Sequence, residues 1–153
     1  KDKQVRSLSF EVSGDLVPVA MVPNFELSTA KARNVLPQHV PYKDAVFNTA
    51  HASFLAAAFA KGDLEHLLFA VEDRLHQPYR AGLIPGFEEI VTCGREMGIP
   101  VYLSGAGPTM MALCSRSNAN EFVVRSKPVL AKFADWEVHV LEVENRGAQV
   151  IRA

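Results

Sequence analysis

The chain has 153 residues, 48% of them hydrophobic, with 16 Lys+Arg against 17 Asp+Glu for a formal net charge of −1. That length and apolar content suit one domain with a real core, and the balanced charge argues against a nucleic-acid partner. The longest strongly apolar stretch, residues 52–60, is about half of what a bilayer crossing needs, so no membrane partner is expected either.

Residues 5–12 alternate, with Leu8, Phe10 and Val12 on one face, and read as a half-buried strand. Ser13-Gly14-Asp15 turns the chain into a second, more apolar strand over residues 16–22, where Pro18 argues for an edge position. Ser28 caps a short helix through Thr29, Ala32 and Arg33. Pro37 and Pro41 bracket a loop. A long helix follows from Lys43, apolar on several sides and therefore expected to be buried on several sides, with Gly62 as its C-cap. Asp63 starts a helix with Leu64, Leu67, Leu68, Val71 and Leu75 at helical spacing, which Pro78 ends. Another opens at Pro85, carries Glu88 and Glu89 in its first turn and closes at Gly98.

Residues 99–103 and 109–114 read as strands joined by a glycine-rich turn. Asn118 and Glu121 begin a helix that Pro128 should kink or interrupt. Trp136, Val138 and Val140 alternate in a late strand, and residues 149–152 add a short edge strand. The fold class expected is α+β, a largely antiparallel sheet with helices covering one face, in a single domain without repeats or linkers.

Three segments carry polar groups suited to chemistry. In Leu103-Ser104-Gly105-Ala106-Gly107-Pro108-Thr109, small residues let backbone N–H groups turn inward around an anion, although a plain hairpin turn has the same composition. It has neither the lysine nor the following helix of a P-loop. Thr29 and Arg33 lie at i, i+4 on one helix face near a capped N-terminus, and a capped surface helix with a solvated arginine is the plainer reading of that segment alone. Asp73-Arg74-Leu75-His76-Gln77-Pro78-Tyr79-Arg80 ends in an arginine whose planar fork suits a carboxylate, and a salt bridge between Asp73 and a nearby arginine would use the same residues. The five histidines and the cysteines Cys93 and Cys114 show no metal-ligand spacing; the cysteines read as buried, reduced thiols of a cytoplasmic protein.

Taken together and in order, residues 22–33, Leu36-Pro37, residues 73–80 and Leu83-Ile84-Pro85-Gly86 resemble bacterial homoserine kinases. Residues 104–109 resemble the third motif of the wider superfamily of galactose, homoserine, mevalonate and phosphomevalonate kinases. The resemblance spans residues 5–143 and implies the ferredoxin-like C-terminal domain of such a kinase, with residues 1–13 as the last strand of the preceding domain or the junction to it. It implies phosphoryl transfer from ATP, with Mg, to the side-chain hydroxyl of L-homoserine in threonine biosynthesis, and leaves room for a homodimer. By the same resemblance Thr29 and Arg33 contact the amino acid, and Arg33 with Arg80 holds its carboxylate. Ser104, Gly105, Ala106, Gly107 and Thr109 support the ATP phosphate loop, and Asp73 and His76 support Arg80.

The superfamily's principal phosphate loop, of the form Pro-x-x-x-Gly-Leu-Gly-Ser-Ser, is not among the 153 residues. The chain also opens on Lys1 and runs straight into a strand, which reads as a piece of something longer. ATP and Mg would therefore be held mainly by another half, and the chain alone is expected to be inactive. Two alternatives remain: a sister kinase for another small alcohol, and a non-catalytic ligand-binding or dimerisation module.

Overall fold

A computed structural model describes residues 6–133, 135–147 and 150. Strands β1 (Leu16–Pro23), β2 (Val101–Leu103), β3 (Met110–Ser115) and β4 (Trp136–Val140) form one sheet in the order β2-β3-β1-β4. Every pairing is antiparallel. The helices are α1 (Thr29–Asn34), α2 (Tyr42–Lys61), α3 (Leu64–Ala70), α4 (Gln77–Arg80), α5 (Phe87–Glu96) and α6 (Ala119–Leu130). The α+β architecture with an antiparallel sheet is as the sequence predicts.

The core follows from strand alternation. Val19 and Met21 of β1, Met110, Ala112 and Cys114 of β3, and Val101 and Leu103 of β2 turn to one face. There they meet Phe87 and Ile90 of α5 and Phe122 and Leu130 of α6. Each large side chain sealed in this layer contributes about 1.5–3 kcal/mol. The alternate residues Leu16 and Leu113 point to the other face and pack on Ala58 of α2 and Leu67 of α3, which places a smaller second cluster there.

Several local expectations are corrected. Residues 6–12 join no ladder, and Leu8 is 92% exposed. Both sides of β1, the strand that follows the turn, are taken by β3 and β4. Pro18 lies in an inner strand, not at an edge. Its carbonyl accepts Leu141 N at 2.8 Å, just past the end of the β1–β4 ladder, so its missing N–H interrupts no rung.

Helix α2 is far more open than its apolar composition suggests, with only His51 and Ala58 buried and Tyr42, Val46 and Phe54 exposed. Its alanines favour a helix wherever it sits, because they lose no side-chain entropy, and they do not by themselves demand burial. The helix predicted to run to Pro78 stops at Ala70, and Pro78 instead sits in the first turn of α4, where its absent N–H is free of cost. Helix α6 passes through Pro128 and ends two residues later at Leu130. The predicted edge strand at residues 149–152 falls outside the described residues apart from Val150, which is exposed and in no strand.

Candidate functional site

Helix α1 starts where Ser28 Oγ accepts the Lys31 amide at 3.1 Å. Ala32 faces inward and is fully buried, while Thr29 and Arg33 stay exposed on the outer side. The inward face is fixed by a long-range bond: the Ala32 carbonyl accepts Arg80 Nε at 2.9 Å.

Arg80 ends α4, a helix of four residues that could not persist unaided. Asp73 supplies the anchor. Its Oδ2 accepts the amides of His76 at 2.7 Å and Gln77 at 2.6 Å, and its Oδ1 accepts Asn48 Nδ2 from α2. Asn48 Oδ1 accepts Arg74 N at 2.9 Å in return. Asp73 therefore braces α4 through hydrogen bonds to neutral groups, and among the described residues it forms no salt bridge with an arginine. Arg74 instead stacks over the Phe47 ring and reaches Asp44 at 3.5 Å.

The glycine loop hangs from the end of β2. Ser104 N donates to Thr109 O at 2.9 Å and Gly107 N to Ser104 O at 3.1 Å, while Gly105 and Gly107 take left-handed φ of 60° and 85°. A Cβ at Gly107 would lie 2.9 Å from Leu103 Cδ1 and 3.1 Å from Ile84 Cδ1, so glycine is required twice over there. The amides of Gly105 and Ala106 donate to nothing among the described residues.

Arg80 brings the three segments together. It is only 8% exposed, its Nη1 donates to Gly105 O at 3.0 Å, and that nitrogen lies 3.3 Å from His76 Nδ1. Among the described residues Arg80 has no carboxylate partner, and its Nη2 has no hydrogen bond yet is not sealed from solvent. Neither Thr29 nor Arg33 bonds to Arg80; they are brought near it because Ala32, between them in sequence, is Arg80's acceptor. Gln77 and Asn48 were missed by sequence reasoning. The only available signal was a polar residue, Asn48, inside an alanine-rich helix that it does not favour.

Residues 55–126 match the family described as GHMP kinases C terminal. A homoserine kinase of Caldicellulosiruptor bescii is 43% identical over 154 residues, covering 98% of this chain and 50% of that protein. The crystal structure of homoserine kinase from Cytophaga hutchinsonii superposes with a TM-score of 0.85 at 27% identity, covering 94% of this chain and 47% of that one. That of a putative homoserine kinase from Listeria monocytogenes gives a TM-score of 0.66 at 27% identity, covering 97% and 47%. This chain belongs to the GHMP kinase C-terminal family. It spans about half the length of the curated relatives it matches.

The electrostatics of this GHMP kinase domain centre on Asp73, His76 and Arg80. Burial would raise the Asp73 carboxyl, but the amides of Gln77 and His76 and the Asn48 side chain outweigh it and hold it below its ordinary value. Burial lowers His76, the Arg80 charge lowers it further, and Asp73 opposes both only in part, so the imidazole is kept neutral. A neutral ring leaves Nδ1 free to accept from Arg80. Both cysteines are free and buried, and burial pushes the Cys114 thiol up to about 12, well away from an activated nucleophile.

Toward the phosphates of ATP, the amides of Gly105 and Ala106, unpaired among the described residues, are donors of the right kind. For magnesium the fit fails: no group of three or more His, Cys, Asp or Glu among the described residues could hold a metal ion. A cleft of about 570 Å³ runs behind α4 between α3 and α5, lined by Leu68, Val71, Gln77 and Phe87, and includes neither Arg80 nor the glycine loop. No helix among the described residues is long and apolar enough to cross a membrane.

Proposed function

We propose that this GHMP kinase domain is the amino-acid-binding half of an L-homoserine kinase, which uses ATP to make O-phospho-L-homoserine for threonine synthesis. The observation that carries the reading is Arg80, a nearly buried guanidinium with two backbone carbonyls and the His76 ring as partners and no anion among the described residues. A buried charge without a counter-ion is costly, and a substrate carboxylate on its open Nη2 offsets that cost. Galactose, the substrate of one sister kinase, brings no such group; mevalonate does carry a carboxylate, and against that sister the choice rests on the likeness in sequence. The resemblance to homoserine kinases over nearly the whole chain supports the same choice.

On this reading Arg80 and the exposed Arg33 hold the carboxylate, and Thr29 meets the amino acid from the same face of α1. Fixing that end orients the distant hydroxyl, whose oxygen forms the new bond to the γ-phosphorus as the bond to ADP breaks. The loop of Ser104, Gly105, Ala106, Gly107 and Thr109 supports the phosphate side through its free amides. Magnesium and most of the nucleotide would be held by residues outside these 153.

The test is ATP-dependent turnover of L-homoserine by the complete kinase carrying these residues, read as phosphorus resonances of O-phosphohomoserine. Absence of that product with a folded enzyme overturns the substrate assignment. The 153-residue chain alone should show no turnover, while calorimetry with L-homoserine should still report binding. Binding without activity in the complete protein would favour a ligand-binding module.

A further inference from the structure

We infer that Gln77 is the positioning residue for the glycine loop, and that α4 couples this loop to the amino-acid helix α1. The inference rests on reading these elements as a phosphate and homoserine site.

Strand β2 has three residues and lies at the edge of the sheet, with β3 as its one ladder partner. Its last residue, Leu103, directly precedes the loop. On the side away from β3 its amide would have no partner, and Gln77 Oε1 accepts it at 2.8 Å. The same side-chain amide donates through Nε2 to the Val71 carbonyl at 3.0 Å, at the C-cap of α3. Both halves of the amide are thus engaged, which fixes its orientation and pins the root of the loop to the end of α3.

Three residues further on, Arg80 holds the carbonyl of Gly105 and that of Ala32. Gln77 and Arg80 sit at i, i+3 on one helical turn, so both address the loop from the same side. One four-residue helix therefore grips the loop at its root and at its second residue and ties it to α1. The unpaired Gly105 and Ala106 amides lie between these grips and the turn closed by Gly107 N. Their position relative to a phosphate is set by Gln77, which itself lies outside both the carboxylate clamp and the loop.

The experiment uses Gln77→Met, which keeps volume and removes both hydrogen bonds, and Gln77→Glu, which keeps the acceptor for Leu103 N, in the complete kinase. Gln77→Met should lower kcat on the order of tenfold or more and raise the KM for ATP, as expected when a reacting group is misplaced. The KM for L-homoserine should stay within about twofold, because the clamp residues are untouched. Gln77→Glu should recover much of the loss. A Gln77→Met enzyme with kcat and the ATP KM unchanged, or one whose main defect is the homoserine KM, overturns the inference.

A second readout does not depend on the substrate. Amide exchange at Leu103 and Gly107 should quicken in Gln77→Met relative to Ile90 in α5, and unchanged exchange overturns the loop assignment. If the wild-type complete kinase leaves L-homoserine unphosphorylated, the substrate reading fails and this exchange difference alone decides the role of Gln77. If Gln77→Met does not fold, Gln77→Glu with partial loosening of the same amides takes its place, and wild-type exchange in it counts against the inference.

Discussion

Arg80 Nη1 donates to the Gly105 carbonyl at 3.0 Å, while Nε of the same guanidinium holds Ala32 at 2.9 Å. Two acceptors from distant segments are satisfied by one planar fork, a geometry that lysine cannot reproduce from a single nitrogen on a flexible stem. Arg80→Lys should therefore leave one carbonyl unpaired and reduce stability by about 1–3 kcal/mol, measured by urea unfolding. In the complete kinase it should raise the KM for L-homoserine by roughly 10- to 100-fold, since hydrogen bonds to charged groups are worth about 1.5–3 kcal/mol. A stable Arg80→Lys enzyme with wild-type homoserine KM would exclude Arg80 from the clamp.

Arg33 provides the contrast. It is exposed and its side chain makes no hydrogen bond or ion pair among the described residues. Arg33→Ala should change stability by no more than about 0.5 kcal/mol, as surface substitutions usually do. It should nevertheless raise the KM for L-homoserine by about tenfold or more, the loss of one charge-assisted contact. Arg80 would thus be both structural and ligand-binding, and Arg33 ligand-binding alone. An unchanged KM for Arg33→Ala would remove it from the site.

Asp73 sets an acid limit on the same assembly. Its pKa is depressed below the ordinary 3.8, with burial opposing the shift and the hydrogen bonds from Gln77, His76 and Asn48 prevailing. A depressed carboxylate stabilises the fold at pH above its unfolded value, and that contribution is lost as pH falls through the folded value. The window is therefore below about pH 4. Asp73→Asn should cost about 1–3 kcal/mol at pH 7, because two amide donors lose a charged acceptor. It should also flatten the fall of stability with pH below about pH 4 relative to wild type. An equally steep acid limb in Asp73→Asn would show that the cap is not what acid breaks.

Much of this was legible in the residues, and the rest fails for identifiable reasons. The inner faces of β3 and α5 follow from periods of two and 3.6 residues, and the glycine turn between β2 and β3 from residues that tolerate positive φ. Arg80 could be named as a clamp but not as a buried one, because its burial depends on acceptors 48 and 25 residues away. Helix α4 is too short to carry a period, so Pro78 read as a stop when it is a first-turn residue. Residues 6–12 carry a clear alternation, yet alternation gives a strand only where the segment pairs with another, and this one joins no ladder. Gln77 was hidden for a similar reason: what it holds is a backbone amide, and a backbone amide leaves no mark in a sequence.

His76 supplies a second pH limit, separated from that of Asp73. Burial lowers its pKa from 6.5, the Arg80 charge adds to this, and Asp73 offsets them only in part. The unfolded chain therefore takes up the proton more readily than the folded one. Stability from this group is fully present above about pH 6.5 and declines as pH falls through the folded value. Protonation would also turn Nδ1 into a donor, placed 3.3 Å from the Arg80 nitrogen that now faces its lone pair. Urea unfolding at pH 7 and at pH 5.5 should show a loss in the wild type that shrinks in His76→Gln, whose amide oxygen can still accept from Arg80 without titrating. The L-homoserine KM of the complete kinase should rise over the same interval in the wild type and stay flatter in His76→Gln. A parallel rise in both would assign the acid sensitivity to another group and leave His76 as a neutral spacer between Asp73 and Arg80.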